Sequence, residues 1–330
     1  MSIHKFPRLL VADIGGTNAR FALTDGQGAP EQIQVFPTAS LGTGEGLAEF
    51  LRAHFAVAEL DAAAVAVAGP VEHGYGRLTN GTLVVEAQRL GTELGLPVTV
   101  LNDFYALAHG IPDFEKLHPI GGEASSPDHA RALLGPGTGL GMSICLPDPA
   151  QSDGWRVLPS EGGYADLAPV SPLEAEVLAV LQAQLSHVCW ETVLSGPGLV
   201  LLYRALAQVW GDTRAVSDTT VTAAWVTEQA RDAQVPLCHQ TLELFFGWLG
   251  AAAGNLALTS YALGGVYIAG GIVPRLVPEA KDSPLRRRFE ERGALSSMVA
   301  RIPLYLVTDD YPGLKGVARA GRHWLASGRP

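Results

Sequence analysis

Residues 13 to 18, Asp-Ile-Gly-Gly-Thr-Asn, place an acid, a glycine pair and two small polar side chains between two apolar, strand-like runs. Glycines at such a tip let successive backbone N–H groups converge on an anion, which suits phosphate. Thr17 and Asn18 add side-chain donors, and Asp13 can hold a hydrated Mg2+ that neutralises the phosphate charge. The same residues also suit a plain tight hairpin in which Asp13 and Asn18 bond their own backbone. A second run, RALLGPGTGLGMSICL at 131 to 146, repeats the strand, glycine-rich tip and strand. Two such tips suggest a nucleotide gripped by one phosphate loop from each side.

Two familiar phosphate loops do not fit. A dinucleotide fingerprint needs its glycines to open a helix, but TNARFALTD after Gly16 has strand composition. A Walker A loop needs Gly-Lys-Ser/Thr, and none of Lys5, Lys116, Lys281 and Lys315 has that setting. The glycines of GTGEG, Gly42 to Gly46, have the wrong spacing for a dinucleotide loop and read as the approach to a helix.

These tips need a scaffold, and apolar periodicity supplies one. The first third reads as strands at RLLVAD, ARFALTD, EQIQVFP, AAVAVAG and PVTVLN, with helices from about 44 to 55, 86 to 94 and after Asn102. After the second tip come WRVLP, helices, VYIAGG, a helix and PLYLV, so the chain reads as two related α/β halves. Between Leu244 and Pro274 no charged residue occurs, a length sufficient to span a bilayer. Polar interruptions and two Gly-Gly pairs favour a buried helix followed by a buried strand, and no membrane association is expected. Arg286 to Arg288 point around a helix and read as a solvated surface.

At 330 residues the chain is long enough for two domains, and its net charge of −10 disfavours a nucleic-acid partner. Cys145, Cys189 and Cys238 have no metal or redox spacing. With an N-terminus that runs directly into the first strand, they point to the cytoplasm.

The motifs DIGGTNAR, LNDF, GPGTGLG, EGGYADLAP, ETVLSGPGLVLLYRAL and IAGGIVPR, in this order, resemble those of the bacterial glucokinases, in the sugar kinase, actin and heat-shock chaperone superfamily. The resemblance runs from about residue 8 to residue 320. It implies a two-domain α/β fold of the actin/hexokinase-like (ribonuclease H-like) type, with ATP and sugar in the interdomain cleft. The small domain would comprise residues 1–111 completed by a C-terminal helix at 312–330, and the large domain 112–311.

The implied reaction is transfer of the γ-phosphoryl group of ATP, with Mg2+, to the 6-hydroxyl of glucose. Asp103 matches the family's catalytic base, and Asn102, Asp103, Glu161, Tyr164 and Glu191 match its sugar-binding positions. Ala12, Asp13, Ile14, Gly15, Gly16, Thr17, Gly137, Thr138 and Gly139 match the phosphate loops, with Gly270 and Gly271 near the adenosine. Asp13 would hold the metal through water. Locally, Asn102-Asp103 falls where a strand ends at a helix start; Asp103 can equally serve as that helix's N-cap.

Two positions depart from the family pattern. Tyr164 stands where a histidine is usual, and Leu83 where a tryptophan usually follows the Thr79-Asn80 turn; both are expected near the sugar. They leave open a kinase for another hexose, or a sugar-sensing binding protein with little turnover. The apolar stretch from Phe245 to Leu258 is expected to offer a homodimer surface.

Overall fold

The computed structural model describes residues 6–79, 81–124, 128–151, 154–231 and 235–328. Contacts divide them into two units. The first holds residues up to Lys116, the segment Cys145–Pro159 and the stretch from Asp309 onward; the second holds Leu117–Ile144 and Ser160–Thr308.

In the first unit, strands β1 (Leu9–Ile14), β2 (Asn18–Thr24), β3 (Pro30–Pro37), β4 (Ala62–Val67) and a later strand at Val98–Asn102 form one sheet. Its core is parallel: β1 pairs with β4, and β4 with Val98–Asn102, while β2 and β3 continue antiparallel. Every residue of β4 is buried because helices cover both faces, so its run reads as continuously apolar instead of alternating. Ala63, Val65 and Val67 meet the helices Leu47–His54 and Ala87–Leu94, whereas Ala62, Ala64 and Ala66 meet the helix Pro312–Ala326. Between the last two parallel strands the chain forms a small antiparallel sheet of β5 (Val71–Glu72), β6 (Tyr75–Arg77) and β7 (Val84–Glu86), which had no counterpart in the sequence reading. The strand Val98–Asn102 is therefore β8.

The helix expected from about residue 44 starts at Leu47, with Gly46 as its cap. Gly44 has φ +95° and packs on the Val84 carbonyl, so GTGEG is a turn fitted against β7.

The second sheet has the order β12-β11-β10-β13-β14-β9, from β9 (Leu117–Pro119), β10 (Arg131–Pro136), β11 (Leu140–Pro147), β12 (Trp155–Ser160), β13 (Val266–Ile268) and β14 (Leu304–Val307). Strands β10, β13 and β14 run parallel. The charge-free stretch forms the helix Pro236–Ser260 and then buried β13. Phe245, Phe246, Trp248 and Leu249 of that helix are fully buried in the second unit's core, which overturns Phe245–Leu258 as a homodimer surface. An apolar face cannot serve an external partner when its own unit covers it.

Arg286 to Arg288 also depart from the solvated reading. In the helix Leu285–Glu290 only Arg287 faces outward, paired with Glu291 at 2.7 Å. Arg288 is 5% exposed and pairs with buried Glu174 at 3.4 Å; Arg286 donates to the carbonyls of Ala300 and Ile302. Consecutive helical residues point about 100° apart, and the packing of this helix turns two of the three inward, where each finds an acceptor.

The helix Pro312–Ala326 crosses the helix Asp103–His109 at Gly316, where a Cβ would overlap the Ala106 carbonyl. An alanine in a helix interior normally gains up to about 1 kcal/mol over glycine. At Gly316 that sign reverses: Gly316→Ala is expected to cost about 1–3 kcal/mol and lower the melting temperature, measured by thermal denaturation.

Candidate active site

In the first unit the predicted residues gather at the carboxyl edge of the parallel strands. The register pairs Ile14 with Val67, and Val67 with Asn102. The Gly15-Gly16 tip and Asp103 thus share one edge, about 10 Å apart at two interstrand spacings. This is the edge of parallel sheets at which ligands bind.

The tip is held by three bonds. Gly15 N–H donates to the Asn18 carbonyl at 3.0 Å, the Thr38 hydroxyl to the Gly15 carbonyl at 2.7 Å, and Thr38 N–H to the Thr17 carbonyl at 2.9 Å. Neither Gly15 nor Gly16 has positive φ, so conformational freedom is not the reason for this glycine pair. Thr17 is exposed, but the side chains of Ala12 and Ile14 lie in the core, leaving only their backbone for a ligand.

Asp13 points to the opposite face from Ala12 and Ile14. Its carboxylate meets Arg20, its cross-strand neighbour on β2, at 3.4 Å. A Cβ on Gly313 would run into that carboxylate, so the start of the helix Pro312–Ala326 sits directly on it. Burial raises the Asp13 pKa above the ordinary carboxylate value, and Arg20 offsets part of the rise. Among the described residues no cluster of three or more His, Cys, Asp or Glu side chains could cage a metal. A single held carboxylate suits a cation carried by phosphates and its own waters.

Asn102, not Asp103, is the N-cap: its Oδ1 accepts Tyr105 N–H at 2.9 Å. Its Nδ2 donates to the Gly69 carbonyl and to Asp103 Oδ1, each at 3.1 Å. Both amide hydrogens are therefore engaged, and one Oδ1 lone pair is left for a ligand hydroxyl. Asp103 is the first residue of the helix, and its Oδ1 also accepts Phe104 N–H at 2.9 Å. The capping alternative for Asp103 is thus taken by its neighbour, which instead orients the Asp103 carboxylate.

The second unit forms its own grouping. Gly137 N–H closes the tip onto the Gly139 carbonyl at 2.8 Å, with Thr138 between them. Gly270, with φ +92°, packs on the Pro136 carbonyl, so the Gly270-Gly271 turn after β13 lies beside the tip after β10. Cβ atoms on Gly137 and Gly271 would meet nothing, leaving two open backbone surfaces.

Glu191 lies in the short helix Trp190–Val193, and its Oε2 accepts Leu140 N–H at 2.7 Å. A Cβ at Gly139 would overlap that carboxylate and push it away from Leu140 N–H. Gly163 packs likewise on the Leu140 carbonyl, pinning the turn Gly162–Tyr164 against the tip. Glu161 and Tyr164 are exposed at this turn, and the Glu191 carboxylate near the phenol raises the Tyr164 pKa.

Sequence reasoning missed Arg20, Thr38, Gly69, Gly313 and His187, whose Nε2 lies 3.2 Å from the Tyr164 carbonyl; each supports a predicted residue. Only Arg20 carried a signal, since a hairpin centred on the Gly15-Gly16 tip sets it opposite Asp13. Leu83, expected near the sugar, is 1% exposed and packs in the first unit's core.

The glucokinase solved from an Antarctic psychrotroph matches this chain with a TM-score of 0.82 and 36% identity, over 96% of this chain and 98% of that one. A ROK-family glucokinase from Streptomyces griseus, solved with glucose and AMPPNP, shares the fold with a TM-score of 0.65 at 23% identity, over 95% and 98% of the two chains. The fold is the two-domain mixed α/β fold of sugar kinases. The family model described as Glucokinase matches residues 10–323. The glucokinase of Chromobacterium violaceum is 41% identical over 317 residues, 95% of this chain and 88% of that protein. The chain belongs to the glucokinase family.

Asp13→Asn removes a carboxylate whose burial opposes folding at neutral pH. Because the folded pKa is raised, the parent protein regains that stability as pH falls through it, and the variant has nothing to regain. The variant is expected to melt no lower than the parent at pH 7, with its advantage shrinking toward pH 4, in melting curves recorded across that range.

Proposed function

We propose that the protein transfers the γ-phosphoryl group of ATP to the 6-hydroxyl of glucose, with Asp103 as general base. The observation that carries this reading is family membership over residues 10–323, joined to a glycine tip at the carboxyl edge of each parallel sheet. Phosphoryl transfer through a loose transition state asks a protein mainly for positioning and charge neutralisation. The backbone of Ala12 to Thr17 and of Gly137 to Gly139 cradles the phosphates, with the Thr17 and Thr138 hydroxyls as added donors. Gly270 and Gly271 flank the adenosine. Asp13 would hold Mg2+ through water, and the ion would supply neutralisation of the developing charge.

Asn102, Glu161, Tyr164 and Glu191 bind the sugar hydroxyls. A carboxylate is a weak base at neutral pH, but it suffices when proton removal is late and the hydroxyl is held within hydrogen-bond reach. The Asn102 amide supports this role by holding Asp103 Oδ1 in one orientation. In this reading residues 1–111 with the helix at 312–330 close on residues 112–311 around both substrates, excluding water and limiting wasteful ATP hydrolysis. The working form is a cytoplasmic enzyme that feeds glycolysis. It is a homodimer through a face other than Phe245–Leu258, which light scattering on the purified protein checks.

Asp103→Asn is expected to lower kcat by about 10²- to 10⁴-fold while glucose binding by calorimetry stays within a few-fold. A near-normal rate would remove the base assignment. A panel of hexoses assayed with and without Mg2+ tests the substrate: comparable rates on mannose or fructose point to a broader hexose kinase, and tight binding without turnover to a sensor.

A further inference from the structure

We infer that Thr38 is a positioning residue for the nucleotide: its hydroxyl turns the Gly15-Gly16 peptide so that the Gly16 N–H is presented to a phosphate. This rests on the reading that the backbone of residues 12–17 cradles the phosphates. A glycine tip carries carbonyls as well as N–H groups, and a carbonyl oxygen turned toward an anion repels it, so a cradle needs something behind it that draws the carbonyls away. Thr38 does this twice from the end of the neighbouring strand. Its hydroxyl donates to the Gly15 carbonyl at 2.7 Å, and its N–H to the Thr17 carbonyl at 2.9 Å. In a planar trans peptide the C=O and the N–H that follows it point in opposite directions, and the described residues contain no cis peptide. With the Gly15 carbonyl tied to Thr38, the Gly16 N–H points away from Thr38. The Gly15 N–H is already spent on the Asn18 carbonyl at 3.0 Å, whereas the Gly16 N–H has no partner among the described residues.

Thr38 is fixed independently of any ligand. It is 4% exposed and opens the turn Thr38–Leu41 directly after Pro37 closes β3. Before it, Phe36 packs edge-on against Phe50, with ring centres 4.9 Å apart. Beyond the turn, the Val84 N–H of β7 donates to the Thr43 carbonyl at 3.0 Å, and Gly44 packs on the Val84 carbonyl. Both ends of the segment are thus anchored, and a donor held in place orients the tip without an ordering cost when the nucleotide binds. Valine has nearly the same shape and would suit so buried a position; what threonine adds is the hydroxyl, and the Gly15 carbonyl is the partner that hydroxyl has.

The test compares the wild-type protein with Thr38→Val and Thr38→Ser. Valine keeps the branched shape and the N–H bond to Thr17 but removes the hydroxyl, and serine restores it. Calorimetry gives Kd for AMPPNP with Mg2+ and, separately, for glucose; steady-state assays give kcat and the ATP KM. Thr38→Val is expected to raise AMPPNP Kd and ATP KM about five- to tenfold, as loss of one buried hydrogen bond implies. Its kcat and glucose Kd should stay within about twofold, the pattern of binding lost equally from ground and transition states. Thr38→Ser should stay within about twofold of wild type throughout. In the wild-type protein, hydrogen exchange at the Gly16 amide is expected to slow about tenfold when AMPPNP binds, a readout that does not depend on how well a variant folds. A valine variant that binds AMPPNP like wild type, a serine variant as weak as valine, a glucose Kd that rises in step with the nucleotide Kd, or unchanged exchange at Gly16 in a protein that binds AMPPNP overturns the role of Thr38 alone. A wild-type protein that neither binds AMPPNP nor phosphorylates a sugar overturns the kinase reading and this one with it.

Discussion

Parallel pairing of β1, β4 and β8 is the constraint on which the first unit's chemistry depends. It sets Ile14, Val67 and Asn102 in one row, so a glycine tip and a carboxylate separated by some 90 residues of chain come to one edge of one sheet. Parallel pairing requires crossover connections and helices on both faces, which is why β4 is Ala-Ala-Ala-Val-Ala-Val and buried throughout. The small side chains let the helix Pro312–Ala326 approach closely, and its first turn then rests on Asp13. A substitution that thickened β4 would therefore be felt at Asp13.

The second unit reaches a comparable arrangement by another route. Its tip is organised by a side chain: Glu191 bonds Leu140 N–H and fills the space beside Gly139, while Gly163 carries the turn Gly162–Tyr164 onto the same Leu140. One residue of β11 is thus the anchor for a proposed phosphate loop and a proposed sugar loop together. The glycines here serve close approach more than unusual dihedrals, since neither Gly137 nor Gly139 has positive φ, whereas Gly270 does.

Supporting bonds matter as much as the proposed functional groups. Asn102 caps a helix, ties to Gly69 and orients Asp103, so a single amide links backbone geometry to the carboxylate. Arg288 illustrates the same economy in the core, where a buried guanidinium is tolerated because Glu174 meets it.

The strands and helices of the two main sheets, though not the small β5–β7 sheet, the hairpin around Gly15-Gly16, the rejection of dinucleotide and Walker loops, and kinship with the glucokinases were legible in the chain. Each rests on local periodicity or on ordered motifs, which survive in one dimension. The choice of Asn102 over Asp103 as the helix cap is a local bond to Tyr105 N–H that composition left open, whereas tertiary packing alone decided that Leu83 is a core residue. It also decided that Arg288 is buried, and that the helix through Phe245 faces its own core. The packing outcomes depend on which distant segment covers a side chain, and a partner such as Glu174, 114 residues from Arg288, leaves no trace in the local pattern of apolar and polar residues.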